Sequence, residues 1–131
     1  ENDGSELRRS SANLRSESLY FHTAITWSAL SSGAPSFRLS DQGAISNTAG
    51  SSLYPSSRIE EYLAYMNSSV IASILSLLSP TLNFSAGPVG QIPRPIFSID
   101  TSSLANECVT ISKQDWDSQE TSWDFKRNPL V

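Results

Sequence analysis

Residues 57–95, SRIEEYLAYMNSSVIASILSLLSPTLNFSAGPVGQIPRP, decide the fold. Apolar residues fall at Ile59, Leu63, Met66, Val70, Ile74 and Leu77, with Tyr62, Ile71, Leu75 and Leu78 beside them. Steps of three and four keep one stripe of a helix facing a core. Ser57 with Glu60 has the form of a capping box, in which two orphan N–H groups are satisfied reciprocally. Pro80 ends the pattern, because it lacks an N–H and its ring clashes with the preceding turn. The expectation is a helix over 57–79, roughly 33 Å long if continuous. Asn67-Ser68-Ser69 is its weak point. These residues are poor in a helix interior and good at an N-cap, so they mark where two short helices would meet at a bend. Val70–Leu78 is too short and too rich in serine to span a bilayer.

Ser18–His22, Ala24–Leu30 and Ser36–Leu39, upstream of that helix, are rich in aromatic and β-branched residues and read as strands. Ser40-Asp41-Gln42-Gly43 reads as a hairpin turn with Ala44–Ser46 returning, and Asn47–Tyr54 holds room for one more strand. Downstream, Thr81–Phe84 is extended in character. Prolines confine Ile96–Ile99 to an edge strand. Asp100, Ser102 or Ser103 is placed to cap a last helix carrying Leu104, Cys108 and Ile111 on one face. Residues 118–131 look irregular, with Trp123 and Phe125 available to pin them down. This order predicts an α+β (mixed α/β) fold: a short twisted sheet packed against a helix or helix pair, plus a C-terminal helix.

The chain has 131 residues, enough for one domain with one core. It reads as a single module excised from a longer protein, with an exposed arm (1–17), a β-rich core (18–99) and an acidic helix and tail (100–131). Net charge is −4. That disfavours a free-standing, non-specific nucleic-acid binder, which draws its affinity from Lys and Arg on phosphates. Residues 100–131 hold six acids against Lys113, Lys126 and Arg127, so the arginine-bearing N-terminal half is the better place for DNA contacts. One cysteine, Cys108, excludes an internal disulfide and a cysteine-built metal site, and fits a reducing compartment.

The residues themselves carry no catalytic constellation. His22 stands among Tyr20 and Phe21 with no nucleophile or acid at a telling spacing. Asp115, Asp117, Glu120 and Asp124 lack the spacing of a calcium loop and read as a solvated acidic surface. Pro88 removes an N–H that a phosphate cradle in Ser85–Gly90 would need.

Four stretches in order carry a resemblance: Ile25-Thr26-Trp27-Ser28 with Ser31-Ser32-Gly33 and Ser36-Phe37-Arg38; Ala49–Pro55; Met66-Asn67-Ser68 followed by Pro80–Phe84 and Gly90–Pro93; and Ile111–Asp117 with Glu120–Phe125. Together they resemble the C-terminal portion of the adenine-specific DNA methyltransferases of BREX phage-defence systems, the PglX type. A looser similarity links the Asn-Ser helix, the Leu-Asn-Phe segment and the Ile-Pro exit to target-recognition domains of restriction-modification proteins. The resemblance implies a DNA target-recognition module. The adenine-methylation motif and the S-adenosylmethionine glycine motif are both absent here, so the catalytic domain and its S-adenosylmethionine would lie upstream. No catalytic, cofactor or metal residue is expected in this segment.

The implied partners are double-stranded DNA, the upstream methyltransferase domain and other phage-defence components. No membrane is implied, and the expected location is the cytoplasm. Candidate DNA-contacting residues are Arg15, Trp27, Ser31, Ser32, Arg38, Gln42 and Asn47. Arg38 alternates with Phe37 and points outward if Phe37 packs inward. Trp27 has two readings, core residue or stacking platform. The alternative function is a structural or protein-docking module of the same methyltransferase that reads no bases.

Overall fold

The computed structural model describes residues 5–9, 16–47 and 49–130. β1 (Ala24–Ser28) lies between β2 (Phe37–Ser40) and β3 (Gly50–Leu53), antiparallel to both, and these make the sheet of the described residues. Ile25 faces Leu39 and Leu53 across the ladders, and Trp27 faces Phe37 and Ser51. Directly opposed residues share a face, and the face alternates along each strand. The inner face therefore carries Ile25, Trp27, Phe37, Leu39 and Leu53. The helices are α1 (Ser5–Arg9), α2 (Ile59–Met66), α3 (Ser69–Leu78), the single-turn α4 (Ala86–Gly90) and α5 (Ser102–Asp117). Leu63, Met66, Ile71, Leu75, Phe84 and Val89 close the core against the sheet. The architecture is α+β, as the order of elements predicts. Most of the arm expected over 1–17 lies outside the described residues.

The expected helix divides at Asn67, and Asn67 does more than break it. Its Nδ2 donates to the Leu63 carbonyl at 3.0 Å, covering the last turn of α2. The same amide pairs with the outer edge of β2: Oδ1 accepts from Phe37 N–H and Nδ2 donates to Phe37 C=O, both at 3.0 Å. One side chain thus satisfies strand groups that would otherwise be orphaned beside a helix. Ser68 then caps α3, accepting from Ile71 N–H at 3.4 Å. The break resets the helical phase. Ile71 and Leu75 become fully buried, while Val70 is 62% and Leu77 83% exposed, so the stripe drawn through Val70 and Leu77 is corrected beyond residue 66.

The capping box at Ser57 does not form. Arg58 occupies the N-cap position in a left-handed conformation (φ 56°) with no side-chain cap. The buried acid is Glu61, not Glu60. The Arg58 guanidinium grips the Glu61 carboxylate at both oxygens. It also donates to the carbonyls of Phe97 (3.2 Å) and Ile99 (3.0 Å) and lies 4.6 Å over the Phe97 ring. Glu61 Oε1 further accepts the Thr101 N–H and hydroxyl, each at 2.9 Å. The expected strand at Ile96–Ile99 does not form, and two carbonyls of this stretch accept from the arginine instead. The start of α5 is fixed by the same carboxylate. Asp100 Oδ1 accepts from the Ser102 N–H and hydroxyl, at 3.0 and 2.6 Å.

Other expectations are corrected. Ser18–His22 is not a strand: a 3-10 turn at Glu17–Leu19 is followed by Phe21 at φ 64°, and Phe21 is 57% exposed. Strand propensity fails there because no buried surface rewards it. Gly43 does take a positive φ (110°), but Ala44–Ser46 does not return along β2. Asn67 holds the outer edge of β2 at Phe37, and the chain crosses over so that β3 joins the free side of β1. Thr81–Phe84 extends this side: Phe84 N–H donates to Ala29 C=O (2.6 Å) and Ser31 N–H to Leu82 C=O (3.1 Å). α5 packs through Ala105 and Val109, whereas Leu104 and Ile111 are 64% and 58% exposed. A small residue lets α5 approach α2 closely, and hydrophobicity alone points to the wrong face. Trp123 is fully exposed, so of the two aromatics only Phe125, half-buried, pins the tail.

Two outcomes follow for stability. Asn67→Ala leaves the Phe37 groups unpaired and lowers unfolding free energy by about 1–3 kcal/mol, measured by urea denaturation. Asn67→Asp is at least as damaging at neutral pH, because it faces two carbonyls with a carboxylate. The Glu61 carboxyl is held down to about 2, first by the hydrogen bond from Arg58, against burial, with Thr101 helping. A carboxyl depressed in the folded state contributes fully above its unfolded pKa, about 4.3. That contribution is lost as pH falls towards 2. The wild-type urea midpoint therefore drops between pH 5 and 2 more steeply than that of Glu61→Gln, which starts lower at pH 7.

Candidate nucleic-acid interface

The inner face of the sheet is consumed by the core, so any recognition by the strands uses the outer face. Register places Ala24, Thr26, Ser28, Arg38, Ser40, Gly50 and Ser52 there. Ala24 is buried, so the open part lies toward Ser28. Its chemistry is hydroxyls around one guanidinium. Arg38 is exposed, and its Nη2 donates to Ser28 Oγ at 2.9 Å. That bond fixes the arginine along the sheet and leaves its other N–H groups as donors. Thr26 Oγ1 donates to Ser51 C=O at 3.0 Å, and the hydroxyls of Ser46 and Ser52 are in direct contact.

Asn47 borders the same end. Its Oδ1 accepts from the N–H groups of Ala49 and Gly50, each at 2.9 Å. A Cβ at Gly50 would lie 3.7 Å from that oxygen and 4.0 Å from Thr26 Oγ1. Asn47, Gly50 and Thr26 therefore meet at one spot. With its oxygen engaged, Asn47 has only its NH2 group to offer a ligand.

Arg38 and Asn47 thus come together at the open end of the sheet, and the Ser31–Ser32 loop leaves that end of β1. Ser31 is half-buried, with Oγ accepting from Gly33 N–H at 3.3 Å, and Ser32 is exposed. Gln42 is exposed but follows β2 at the opposite end, about 13 Å along the strands. Trp27 is 2% exposed, and its indole N–H is bonded to Phe84 C=O at 2.7 Å. Its ring belongs to the core and offers no stacking surface. Arg15 lies outside the described residues. Thr26, Ser28, Ser46 and Ser52 were not among the sequence candidates. Once Trp27 is read as core, strand alternation turns Thr26 and Ser28 outward. No sequence signal gives the register of β3.

Among the described residues no cluster of three or more His, Cys, Asp or Glu is placed to hold a metal. His22 Nδ1 lies 3.0 Å from its neighbour Tyr20 C=O and is exposed. Two members of the acidic tail are engaged by Lys113: Asp124 at 2.9 Å and Asp117 at 3.4 Å. The Lys113 pKa is raised, first by Asp124, and the Asp124 carboxyl is lowered, first by Lys113. An open cleft of about 320 Å³ between α2 and residues 89–95 is lined by Tyr54, Tyr62, Tyr65, Met66 and Arg94, with no acid, histidine or cysteine.

The sequence is 39% identical over 135 aligned positions to the adenine-specific methyltransferase BrxX of Escherichia coli O9:H4 (strain HS), an alignment covering 100% of this chain and 11% of that protein. It is 38% identical over 114 positions to the adenine-specific methyltransferase PglX of Lacticaseibacillus casei (strain Zhang), covering 85% of this chain and 10% of that protein. Across its length, the chain is homologous to one segment of the BREX adenine-specific methyltransferases. It spans about a tenth of the length of these BrxX and PglX relatives. No family model matches it. The BrxX match runs through both ends of the sheet, α2, α3 and the acidic tail, so all of the features above fall within the shared segment.

Because Arg38 is exposed and, among the described residues, its side chain bonds only to Ser28, Arg38→Ala changes unfolding free energy by less than about 0.5 kcal/mol in urea denaturation. A larger loss would mean that the guanidinium braces the sheet.

Proposed function

We propose that this chain is a DNA target-recognition module of an S-adenosylmethionine-dependent adenine-N6 DNA methyltransferase acting in phage defence. The observation that carries the reading is the outer sheet face, where Arg38 and the Asn47 amide border a field of hydroxyls above an inner face that packs on the core. A sheet of this size fits a major groove, as β-ribbon readers do. Arg38 has the donor geometry for guanine, and the Asn47 NH2 group suits a base acceptor. The catalytic domain elsewhere in the polypeptide would bind S-adenosylmethionine, flip the adenine out and methylate it, since a stacked base is not accessible. Most phosphate contacts would also come from outside this module, given its net charge of −4. Such an enzyme works where bacterial DNA lies, in the cytoplasm.

A second reading is favoured by one observation, the acidity of residues 100–131. In it this part braces the methyltransferase or docks other defence proteins and reads no bases.

Exchanging this segment between two methyltransferases with different target sites tests the first reading. The methylated sequence, mapped genome-wide as N6-methyladenine, is expected to follow the segment, and retention of the original site would sink it. Under the second reading the site stays and partner pull-down is lost. In the full enzyme, Arg38→Ala is expected to weaken discrimination at one base pair by about 1–3 kcal/mol, with methylation at relaxed sites as the readout.

A further inference from the structure

The segment after α5 folds back on that helix and is fastened on both sides of Trp123. Ser122 Oγ donates to Asp117 Oδ1 at 2.7 Å, and Asp124 Oδ2 accepts from Lys113 Nζ at 2.9 Å. The backbone closes on itself as well. Asp124 N–H donates to Ser122 Oγ at 3.2 Å, and Phe125 N–H to Ser122 C=O at 3.3 Å. Trp123, held between these two tethered neighbours, is 103% exposed. A tryptophan on a loose tail needs no explanation. An indole displayed whole to water on a fastened backbone is different, because the backbone share of its ordering cost on binding is already met. Tryptophan is also enriched among the few residues that dominate binding energy.

The surroundings define the occupant. Residues 113–127 carry Asp115, Asp117, Glu120 and Asp124 against Lys113, Lys126 and Arg127, and Lys113 engages Asp117 and Asp124. A patch so nearly balanced lacks the excess of cations that phosphate binding draws on, and suits a protein surface of mixed polarity. The relatives are about nine times longer than the matched segment, so in proteins of that build a large protein surface belongs to the same polypeptide. We infer that Trp123 anchors an internal docking surface, seated in an apolar pocket with a polar rim on the remaining polypeptide of the methyltransferase. This rests on the homology and is independent of whether the sheet reads DNA.

The test uses the full-length methyltransferase that carries this segment. With a photo-crosslinking phenylalanine at position 123, irradiation and mass spectrometry are expected to give a concentration-independent cross-link to a peptide of the same polypeptide outside residues 1–131. Cross-links only to a second copy, another protein, DNA or residues 1–131, or none at all, overturn the inference. In the same protein, Trp123→Ala is expected to speed trypsin cleavage at Lys126 and Arg127 about tenfold, with Trp123→Phe in between. Unchanged cleavage also overturns it. The exposed ring makes no contact that the fold of the segment requires, so misfolding does not obscure either result.

Discussion

The pairing of the Asn67 amide with the edge of β2 is the constraint on which the rest of the fold depends. A continuous helix over 57–79 would overrun a three-stranded sheet only about 10 Å wide between its outer strands. Asn67 ends α2, seals the edge of β2 at Phe37 and lets Ser68 start α3 in a new direction. That direction sends Ile71 and Leu75 into the core. It also returns the chain so that Phe84 meets Ala29 and receives the Trp27 indole N–H. One residue thus couples helix phase, strand edge and the path of the following link.

Glu61 does for the other end of α2 what Asn67 does for its end. Its carboxylate gathers Arg58 and Thr101, and Arg58 in turn takes the carbonyls of Phe97 and Ile99. Only the Glu61 side of this ion pair is buried, and a pair of that kind adds little net stability over apolar residues of equal volume. It does, however, demand one geometry, because removing Arg58 strands the buried carboxylate. α2 is therefore a short strut with a polar clamp at each end, one to the sheet and one to α5. The left-handed Arg58 is a strained conformation for a residue with a Cβ, and the guanidinium contacts hold it there.

The sequence was legible where periodicity and burial agree. Ala24–Leu30 and Ser36–Leu39 read as strands, and the break at Asn67 read as a bend, because aromatic and β-branched runs and helix-poor residues act locally. It misled where a long-range partner decides. Nothing near Ser57 says that Glu61 rather than Glu60 will be buried, since Thr101 lies forty residues away. Nothing near Leu104 says that α5 will turn Ala105 inward, because the close approach belongs to the helix pair. For the candidate site, Arg38 was legible from its alternation with Phe37. Asn47 beside Gly50 and Thr26 depends on the crossover of β3, which local pattern does not encode. Trp27 carried two readings in sequence, and the Phe84 carbonyl decides for the core.

These constraints also limit how the sheet can recognise anything. Its inner face is packed, and the β2 edge at Phe37 is occupied by Asn67, so an added strand cannot pair there. What remains open is side-chain display at the Ser28 end of the outer face. A face with one arginine among hydroxyls supplies few phosphate contacts, and the chain as a whole carries a charge of −4. On the proposed reading its own affinity is low and its contribution is discrimination, with the electrostatic attraction supplied by the rest of the proposed methyltransferase polypeptide. That division asks for a module held in fixed orientation, because side chains a few ångströms out of register read the wrong base pair. The two clamps on α2 meet that demand from within the module. The fastened Trp123 meets it from outside if the surface it displays is seated on that polypeptide.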